Sequence, residues 1–262
     1  MSLPYDKQVA VVTGGSSGIG LATVRLLLEQ GGSVAFCARG ESRLNDVAAV
    51  LARDFGASRI LWKAFSVLEP EAVNAFAAEV EARFGKVDLL VNNAGQGRVS
   101  TFANTTDDDW RAEYELKLFS QIHPIRAFQP MLVASKGAIV AVNSLLAYQP
   151  EKHMVCTASA RAGVQNLLKS LSIELAPAVR VNSVLLGLIG SGQWSRRFAE
   201  RPDQSVSREE WYANLARDKG IPLGRLGDAA EAAAAIAFLG SRAASYITGA
   251  QLDVSGGLSR HI

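Results

Sequence analysis

A glycine-rich segment near the start of the chain has the residue types and spacing needed to bind a phosphate group. The segment TGGSSGIG (13–20) follows an apolar run and opens a stretch with helical periodicity. Gly14 permits a tight turn, and the later glycines let a ligand approach the backbone closely. The helix that follows presents free N–H groups to an anion. The predicted contacts are Gly14, Ser16, Ser17, Gly18, Ile19 and Gly20.

The meaning of this segment depends on the elements around it, which alternate between strands and helices. Strands are predicted at 7–14, 33–38, 59–67, 87–95, 137–144, 179–187 and 250–255. Helices are predicted at 20–31, 41–56, about 70–84, 107–134, 156–176 and 228–240. This alternation indicates an α/β fold, a doubly wound parallel sheet with helices on both faces. Residues 1–262 are expected to form one domain, and the glycine segment sits where a dinucleotide-binding motif would.

Composition narrows the class of function. The chain has 262 residues, 48% of them hydrophobic and 20% charged, with a net charge of +2. A balance so close to neutral does not favour nucleic acid as the main partner. Two cysteines make no disulfide framework and fit no metal site. The opening residues lack the basic and then apolar pattern of a secretion signal, and no apolar run is long enough to span a bilayer, so a cytoplasmic protein is expected.

Residues 188–227 form a connection that is longer than usual for this fold. It carries the aromatic residues Trp194, Phe198, Trp211 and Tyr212. Long excursions from a compact domain are commonly lids or binding loops, and these aromatics argue against disorder. We therefore predict a substrate lid at about 188–227.

Four motifs together resemble the short-chain dehydrogenase/reductase family. They are TGGSSGIG (13–20), NNAG (92–95), a serine that closes the fifth strand (Ser144) and ITGAQLDVSGG (247–257), in the order and spacing of the family. The resemblance covers essentially the whole chain. It implies a single Rossmann-type domain of about seven strands, a nicotinamide dinucleotide cofactor and a homotetramer. It also places Asn93, Ala94 and Gly95 along the adenosine side of the cofactor, and Gly187 and Ile189 next to it.

The end of the second strand predicts which dinucleotide binds. An acidic residue there would bond the ribose 2′-hydroxyl of NAD. This chain has Ala38 at that position, followed by Arg39. A guanidinium attracts the 2′-phosphate of NADP(H) and can bind it through two N–H groups, and Ser16 could add a hydroxyl. After strand three the family usually has an aspartate that contacts adenine. Here Ser66 stands in its place, and the backbone of Val67 remains for the same contact.

The catalytic positions depart from the family pattern. The resemblance implies an asparagine in the fourth helix, a serine at the end of strand five, a tyrosine and a lysine four residues after it. Ser144 is present, but Thr157 occupies the tyrosine position and Arg161 the lysine position. Lys117 stands where the asparagine is expected.

These changes keep the positive charge of the site and remove its usual acid. A threonine hydroxyl is far less acidic than a phenol, although it can bond a substrate oxygen or relay a proton. Arg161 is a permanent cation that can bind ribose hydroxyls and stabilise an alkoxide. Lys117 could supply the proton if burial and Arg161 lower its pKa, and His153 is a second candidate because imidazole is a common general acid or base. Tyr148 is a weaker candidate for the same role.

Two hypotheses follow from this site. The first is an NADP(H)-dependent oxidoreductase that interconverts a carbonyl and an alcohol by hydride transfer, with an atypical proton donor and a small-molecule substrate. The second is a catalytically silent NADP(H)-binding protein that acts as a sensor or partner subunit. Lys117 and His153 also have plain interpretations, as a solvent-facing lysine and a surface loop histidine, and Cys156 as a buried filler.

Overall fold

A seven-stranded parallel sheet forms the centre of the molecule. The computed structural model describes residues 3–190, 192–201 and 204–261. The strands are β1 (Val9–Thr13), β2 (Ser33–Ala38), β3 (Ile60–Ala64), β4 (Leu89–Asn92), β5 (Ala138–Ser144), β6 (Arg180–Leu186) and β7 (Gln251–Val254). Their order is β3-β2-β1-β4-β5-β6-β7, and every neighbouring pair is parallel. The predicted doubly wound topology is confirmed.

Helices connect these strands and cover both faces of the sheet. They are α1 (Gly18–Glu29), α2 (Glu41–Phe55), α3 (Pro70–Phe84), α4 (Asp107–Tyr114), α5 (Ser120–Ser135), α6 (Val155–Glu174), α7 (Gly192–Ala199), α8 (Arg208–Lys219) and α9 (Ala229–Gly240). Within the described ranges, no helix combines the length and apolarity that crossing a bilayer requires.

The core lies in two layers because successive strand residues point to opposite faces. In β1, Val12 packs with α1, α2 and α9 on one face, whereas Val11 packs with α3, α5 and α6 on the other. Both valines are fully buried. A strand buried on both faces needs apolar residues at every position, which explains the continuous apolar run in β1.

The segment at 188–227 contains two helices that the sequence did not predict, α7 and α8. A third hydrophobic cluster joins them to the sheet edge, with Leu145, Leu185, Ala216 and Ile221 buried together. The lid prediction therefore falls on a packed helical layer over the carboxyl ends of β5 and β6. Its positions 191, 202 and 203 lie outside the described residues.

The helix predicted at 107–134 is interrupted. Thr106 begins α4 with a capping box, in which its hydroxyl accepts the Asp109 N–H at 3.2 Å. The chain then makes a π-helical turn at Glu115–Phe119 before α5 begins. Such turns occur frequently at functional sites, because the extra residue redirects the side chains of one turn. Lys117 lies within this turn and is buried.

Candidate active site

The loop between β1 and α1 forms an anion site at the carboxyl edge of the sheet. Gly14 and Gly18 have φ values of +70° and +52°, which glycine adopts without strain. A Cβ on Gly20 would lie 2.2 Å from the Gly14 carbonyl oxygen, so the close approach of helix and loop requires glycine there. The side chain of Ser17 makes no capping hydrogen bond to α1. The first N–H groups of the helix are therefore free to bind a phosphate.

A groove of about 710 Å³, which we call the cofactor groove, continues from this loop across β2 and β3. Arg39 lines it, and so does Arg43 from the first turn of α2. The Arg43 Nε donates to the Ser16 carbonyl oxygen at 3.2 Å, which ties α2 to the glycine loop. Sequence reasoning missed Arg43, although its position four residues after Arg39 was a usable signal. Two guanidinium groups at this place could hold a 2′-phosphate.

Ser66 and Val67 line the same groove where an adenine would lie. The Ser66 hydroxyl accepts the Leu68 N–H at 3.3 Å, so it also stabilises its own turn. The Val67 carbonyl oxygen lies 3.1 Å from Nδ1 of His123.

The NNAG turn after β4 forms the floor of the groove. Asn93 Nδ2 donates to the carbonyl oxygens of Thr13 and Gly14, at 2.9 and 3.2 Å. The Thr13 hydroxyl in turn accepts the N–H groups of Asn93 and Ala94, both at 3.0 Å. Gly95 follows and lines the groove as well. These bonds fix the turn against the glycine loop, and Thr13 is a structural member of the site that the sequence did not reveal.

The catalytic end is built around a buried ion pair between Lys117 and Glu113. The Lys117 Nζ lies 2.8 Å from Glu113 Oε1, and the two side chains are only 5% and 4% exposed. Lys117 also donates to the Gln96 carbonyl oxygen. Glu113 was not a candidate in the sequence. Lys117 does not point to solvent, which excludes its plain interpretation.

Thr157 lies on the other side of Glu113. Its hydroxyl donates to Glu113 Oε1 at 2.5 Å and accepts the Arg98 backbone N–H at 3.0 Å. The residue is fully buried. The sequence suggested that this hydroxyl could bond a substrate oxygen, whereas in the structure its acceptors are Glu113 Oε1 and, at 3.2 Å, the Arg98 carbonyl oxygen. The reason is that α4 brings an acceptor to it within the protein interior.

Arg161 points its guanidinium into the cavities of the site. Its Nη1 donates to Asn143 Oδ1 at 3.1 Å, and its Nε is buried without a partner among the described residues. Burial lowers the pKa of Arg161 to about 10, against the opposing charge of Glu113. It remains a cation at neutral pH, with one N–H that has no hydrogen-bond partner among the described residues.

The pKa of Lys117 is lowered, mainly by burial and next by the charge of Arg161. Glu113 acts in the opposite direction, by its hydrogen bond and its charge. Both conditions set out from the sequence, burial and proximity to Arg161, are met. The ammonium group of Lys117 therefore releases its proton more readily than that of a solvent-exposed lysine.

Two cavities meet at these residues. A cavity of about 190 Å³ is lined by Lys117, Arg161 and Asn143, and it shares the NNAG turn with the cofactor groove. A second cavity of about 380 Å³, which we call the lid cavity, lies against α7 and α8 and is lined by Ser144 and again by Arg161. Its further lining residues include Gly97, Leu145, Met154, Thr157, Gly187, Trp194, Arg197 and Leu215. Arg161 lines both cavities, whereas Lys117 lines only the smaller one.

Ser144 lines the lid cavity as expected. Its Oγ donates to the Leu186 carbonyl oxygen and accepts the Leu146 N–H, both at 3.3 Å. These are long bonds that a substrate oxygen could replace. Gly187 lines this cavity and not the groove that was predicted to hold the cofactor, and a Cβ there would lie 2.7 Å from Ser255 Cβ.

Three candidates are not brought into this centre. His153 is exposed at φ +62° and lines neither of the two cavities. Tyr148 is 40% exposed, and its ring lies 6.0 Å from that of His261. Ile189 is buried beside Gly227 and lines a separate cavity behind β7 rather than the cofactor groove. In each case the loop conformation, which sequence spacing does not encode, turns the side chain elsewhere.

Comparison with known proteins supports one family over the whole chain. The family described as enoyl-(acyl carrier protein) reductase matches residues 14–259. A cis-4-hydroxycyclohexanecarboxylate dehydrogenase of Sinomonas cyclohexanicum is 36% identical, over 98% of each chain. The 3-oxoacyl-[acyl-carrier-protein] reductase FabG of Vibrio cholerae serotype O1 is 35% identical, over 97% of this chain and 98% of that one.

A solved structure is more similar still. It is the NADPH-bound structure of a short-chain oxidoreductase from Pseudomonas aeruginosa PAO1 that contains an atypical catalytic center. That protein is 56% identical, with a TM-score of 0.94 over 99% of this chain and 100% of that one.

Proposed function

The chain belongs to the short-chain dehydrogenase/reductase family, and from that membership we propose that it is an NADP(H)-dependent oxidoreductase interconverting a carbonyl and an alcohol. The observation that carries the proposal is the buried Lys117. It lines a cavity that is also lined by Arg161 and that adjoins the cofactor groove at the NNAG turn. The P. aeruginosa relative binds NADPH, and the two curated relatives are a dehydrogenase and a reductase by name.

The groove residues fit a dinucleotide phosphate. The uncapped N-terminus of α1 would take the pyrophosphate, while Arg39 and Arg43 would take the 2′-phosphate. The position at the end of β2 where a carboxylate would repel that phosphate is occupied by Ala38. Bound nicotinamide supplies or accepts the hydride, and the protein supplies position and charge.

Arg161 and Ser144 are the residues proposed to stabilise the developing oxyanion. Both line the lid cavity, and the buried Nε of Arg161 has no other partner in the described structure. A cation and a hydroxyl that are already oriented stabilise charge on oxygen without reorganising during the reaction. The apolar wall around them, with Leu145, Met154 and Trp194, suits a substrate with an apolar or ring-bearing body.

Lys117 is the residue proposed to deliver the proton in the direction of reduction. Its Nζ donates to Glu113 and Gln96, which leaves its third N–H for the cavity. A lysine whose pKa is lowered toward neutrality is a competent general acid or base. Thr157 cannot take this role as arranged, because its hydroxyl already has two acceptors within the protein, Glu113 Oε1 and the Arg98 carbonyl oxygen.

A second candidate function is favoured by that same observation on Thr157. Because the Thr157 hydroxyl is hydrogen-bonded within the protein interior, the position of the family's usual acid has no free proton donor. The protein would then bind NADP(H) without turnover and act as a sensor or partner subunit. His153 does not rescue catalysis, since it is exposed and away from both cavities.

One experiment separates the two functions. NADPH binding is measured by fluorescence, and oxidation of NADPH is followed by absorbance across a panel of ketones, keto acids and 3-oxoacyl thioesters. We expect turnover by the native chain and a loss of kcat of about 100-fold or more in Lys117→Met. Lys117→Arg is the matched control, because it keeps the buried cation but cannot release a proton at neutral pH.

The outcomes are distinct. Tight NADPH binding with no turnover on the whole panel would establish the silent function and overturn the enzyme. Turnover by the native chain that survives in Lys117→Met or Lys117→Arg would show that another residue carries the proton. Retained NADPH affinity in both variants is required for either interpretation.

A further inference from the structure

Glu113 is a buried carboxylate with a position that the proposed reaction does not explain. It is 3% exposed and lies one helical turn before Lys117. An ionised carboxylate is rarely buried unless it is paired and hydrogen-bonded. Glu113 satisfies this with two partners, the Lys117 ammonium at 2.8 Å and the Thr157 hydroxyl at 2.5 Å. Both partners occupy positions where the family has its catalytic groups.

The carboxylate stands behind the site rather than in it. Glu113 lines neither the lid cavity nor the cavity next to the cofactor groove, whereas Lys117 lines the second of these and Thr157 the first. It therefore contacts no substrate or cofactor and can affect the reaction only through these two neighbours. Thr157 on α6 contacts Glu113, and Glu113 in turn contacts Lys117, which lines the cavity.

We propose that Glu113 is the positioning residue of this active site, which holds Lys117 charged and aimed into the cavity, and that Thr157 serves by anchoring Glu113. This inference rests on the proposed role of Lys117 as proton donor. It gives Thr157 a role other than the acid or substrate-binding role of that position.

The charged groups around Lys117 determine how firmly it holds its proton. From α6, Arg161 repels the ammonium, and the thiol of Cys156 also faces it. Burial raises the pKa of Cys156, with the charge of Glu113 acting the same way, so that thiol stays neutral at neutral pH. Arg98 and the carboxylate of Asp109, which is paired with it at 2.6 Å, lie farther back against Cys156. Glu113 is the anion in direct contact with Lys117 among the described residues.

The proton transfer balances without any further reactant. In reduction the hydride comes from the reduced nicotinamide, and the carbonyl oxygen gains a negative charge. An N–H bond of Lys117 breaks and an O–H bond forms on that oxygen. Lys117 becomes a neutral amine and recovers its proton from water, while Glu113 keeps its charge throughout.

The pH dependence of reduction tests the role of Glu113. Reduction needs protonated Lys117, so kcat falls as pH rises through the pKa of that lysine. Glu113→Gln keeps the size and hydrogen-bonding of the side chain but removes its charge. An opposite charge at this distance shifts a pKa by about 1–3 units, so the alkaline fall in kcat should move down by that amount. The KM for NADPH should stay within about twofold, because Glu113 does not touch the groove.

The matched control is Glu115→Gln. Glu115 lies two residues farther along, carries the same charge and is exposed, so its profile should superimpose on that of the native enzyme. Thr157→Val should move the profile in the same direction by a smaller amount, and Thr157→Ser should restore it. These hydroxyl variants keep the test valid if Glu113→Gln does not fold.

A second readout does not depend on activity. With 13Cε-labelled lysine in the NADPH-bound protein, the Lys117 resonance is identified by its loss in Lys117→Met. Its titration midpoint should fall in Glu113→Gln and not in Glu115→Gln. If the native protein never turns over, the proposed function fails and this titration still measures the effect of Glu113. A midpoint and a pH profile unchanged in Glu113→Gln would overturn the inference.

Discussion

Replacing Lys117 with methionine should destabilise the fold far more than replacing a surface lysine. Lys117 and Glu113 are 5% and 4% exposed in their side chains, so the substitution leaves a carboxylate buried with Thr157 as its remaining side-chain donor. Breaking a buried pair from one side costs about 3–5 kcal/mol. At about 2–4 °C per kcal/mol for a chain of this size, the melting temperature should fall by about 6–20 °C.

The double variant Glu113→Gln/Lys117→Met gives the decisive comparison. It removes both charges and keeps an amide that can bond Thr157, so it should be more stable than Lys117→Met alone, because no unpaired charge remains. The surface pair Lys63 and Glu79, 40% and 44% exposed, is the control, and Lys63→Met should cost about 1 kcal/mol or less.

The assay is urea unfolding without cofactor, at one fixed protein concentration so that any subunit association is held constant. Loss of stability in Lys117→Met no greater than in Lys63→Met would refute the buried pair. The buried pair would also be refuted if the double variant lost as much stability as the two single variants together, because the effects of coupled charges on stability are not additive.

Two further predictions concern the cofactor groove and its loop. Arg39→Ala should weaken NADPH binding by about 10- to 100-fold and leave NADH binding nearly unchanged, as one charge-assisted bond to the 2′-phosphate is lost. Equal weakening of both dinucleotides, measured by fluorescence titration, would contradict that contact. Gly20→Ala should cost about 1–3 kcal/mol, since its Cβ would meet the Gly14 carbonyl oxygen at 2.2 Å, whereas Gly163→Ala should stabilise by about 0.5–1 kcal/mol. Urea midpoints of the two alanine variants that shift in the same direction would refute this reasoning.

The fold follows from patterns that the sequence carries openly. Strands buried on both faces need continuous apolar residues, as in β1, and the glycine loop needs glycine at Gly14 and Gly20 for close approach. Arg39 could be placed in the cofactor groove because it directly follows β2, and the end of a strand fixes where the next residue lies. The π-helical turn at Glu115–Phe119 has no comparable sequence marker, and it decides which side chains of the fourth helix face inward.

Glu113 shows why the rest of the site could not be predicted. It lies in the acidic stretch DDDWRAEYE, where nothing in the residue types separates Glu113 from the exposed Glu115. A glutamate four residues before a lysine is also the usual pattern of a solvent-exposed helix pair. That pattern favours the surface, and only the tertiary contact with Thr157 shows that this pair is interior.

The altered residues of the catalytic centre form one electrostatic unit. Lys117 and Arg161 bring two positive charges to the small cavity beside the cofactor groove, and Glu113 supplies one negative charge, so the group keeps one net positive charge. Formation of an alkoxide from a carbonyl would neutralise that charge, which favours the charged product of hydride transfer over the neutral reactant. Without Glu113, two unpaired cations would repel each other and the pKa of Lys117 would fall further. Thr157 therefore has a reason to be a short hydroxyl residue, since it holds in the interior the carboxylate on which the proton of Lys117 depends.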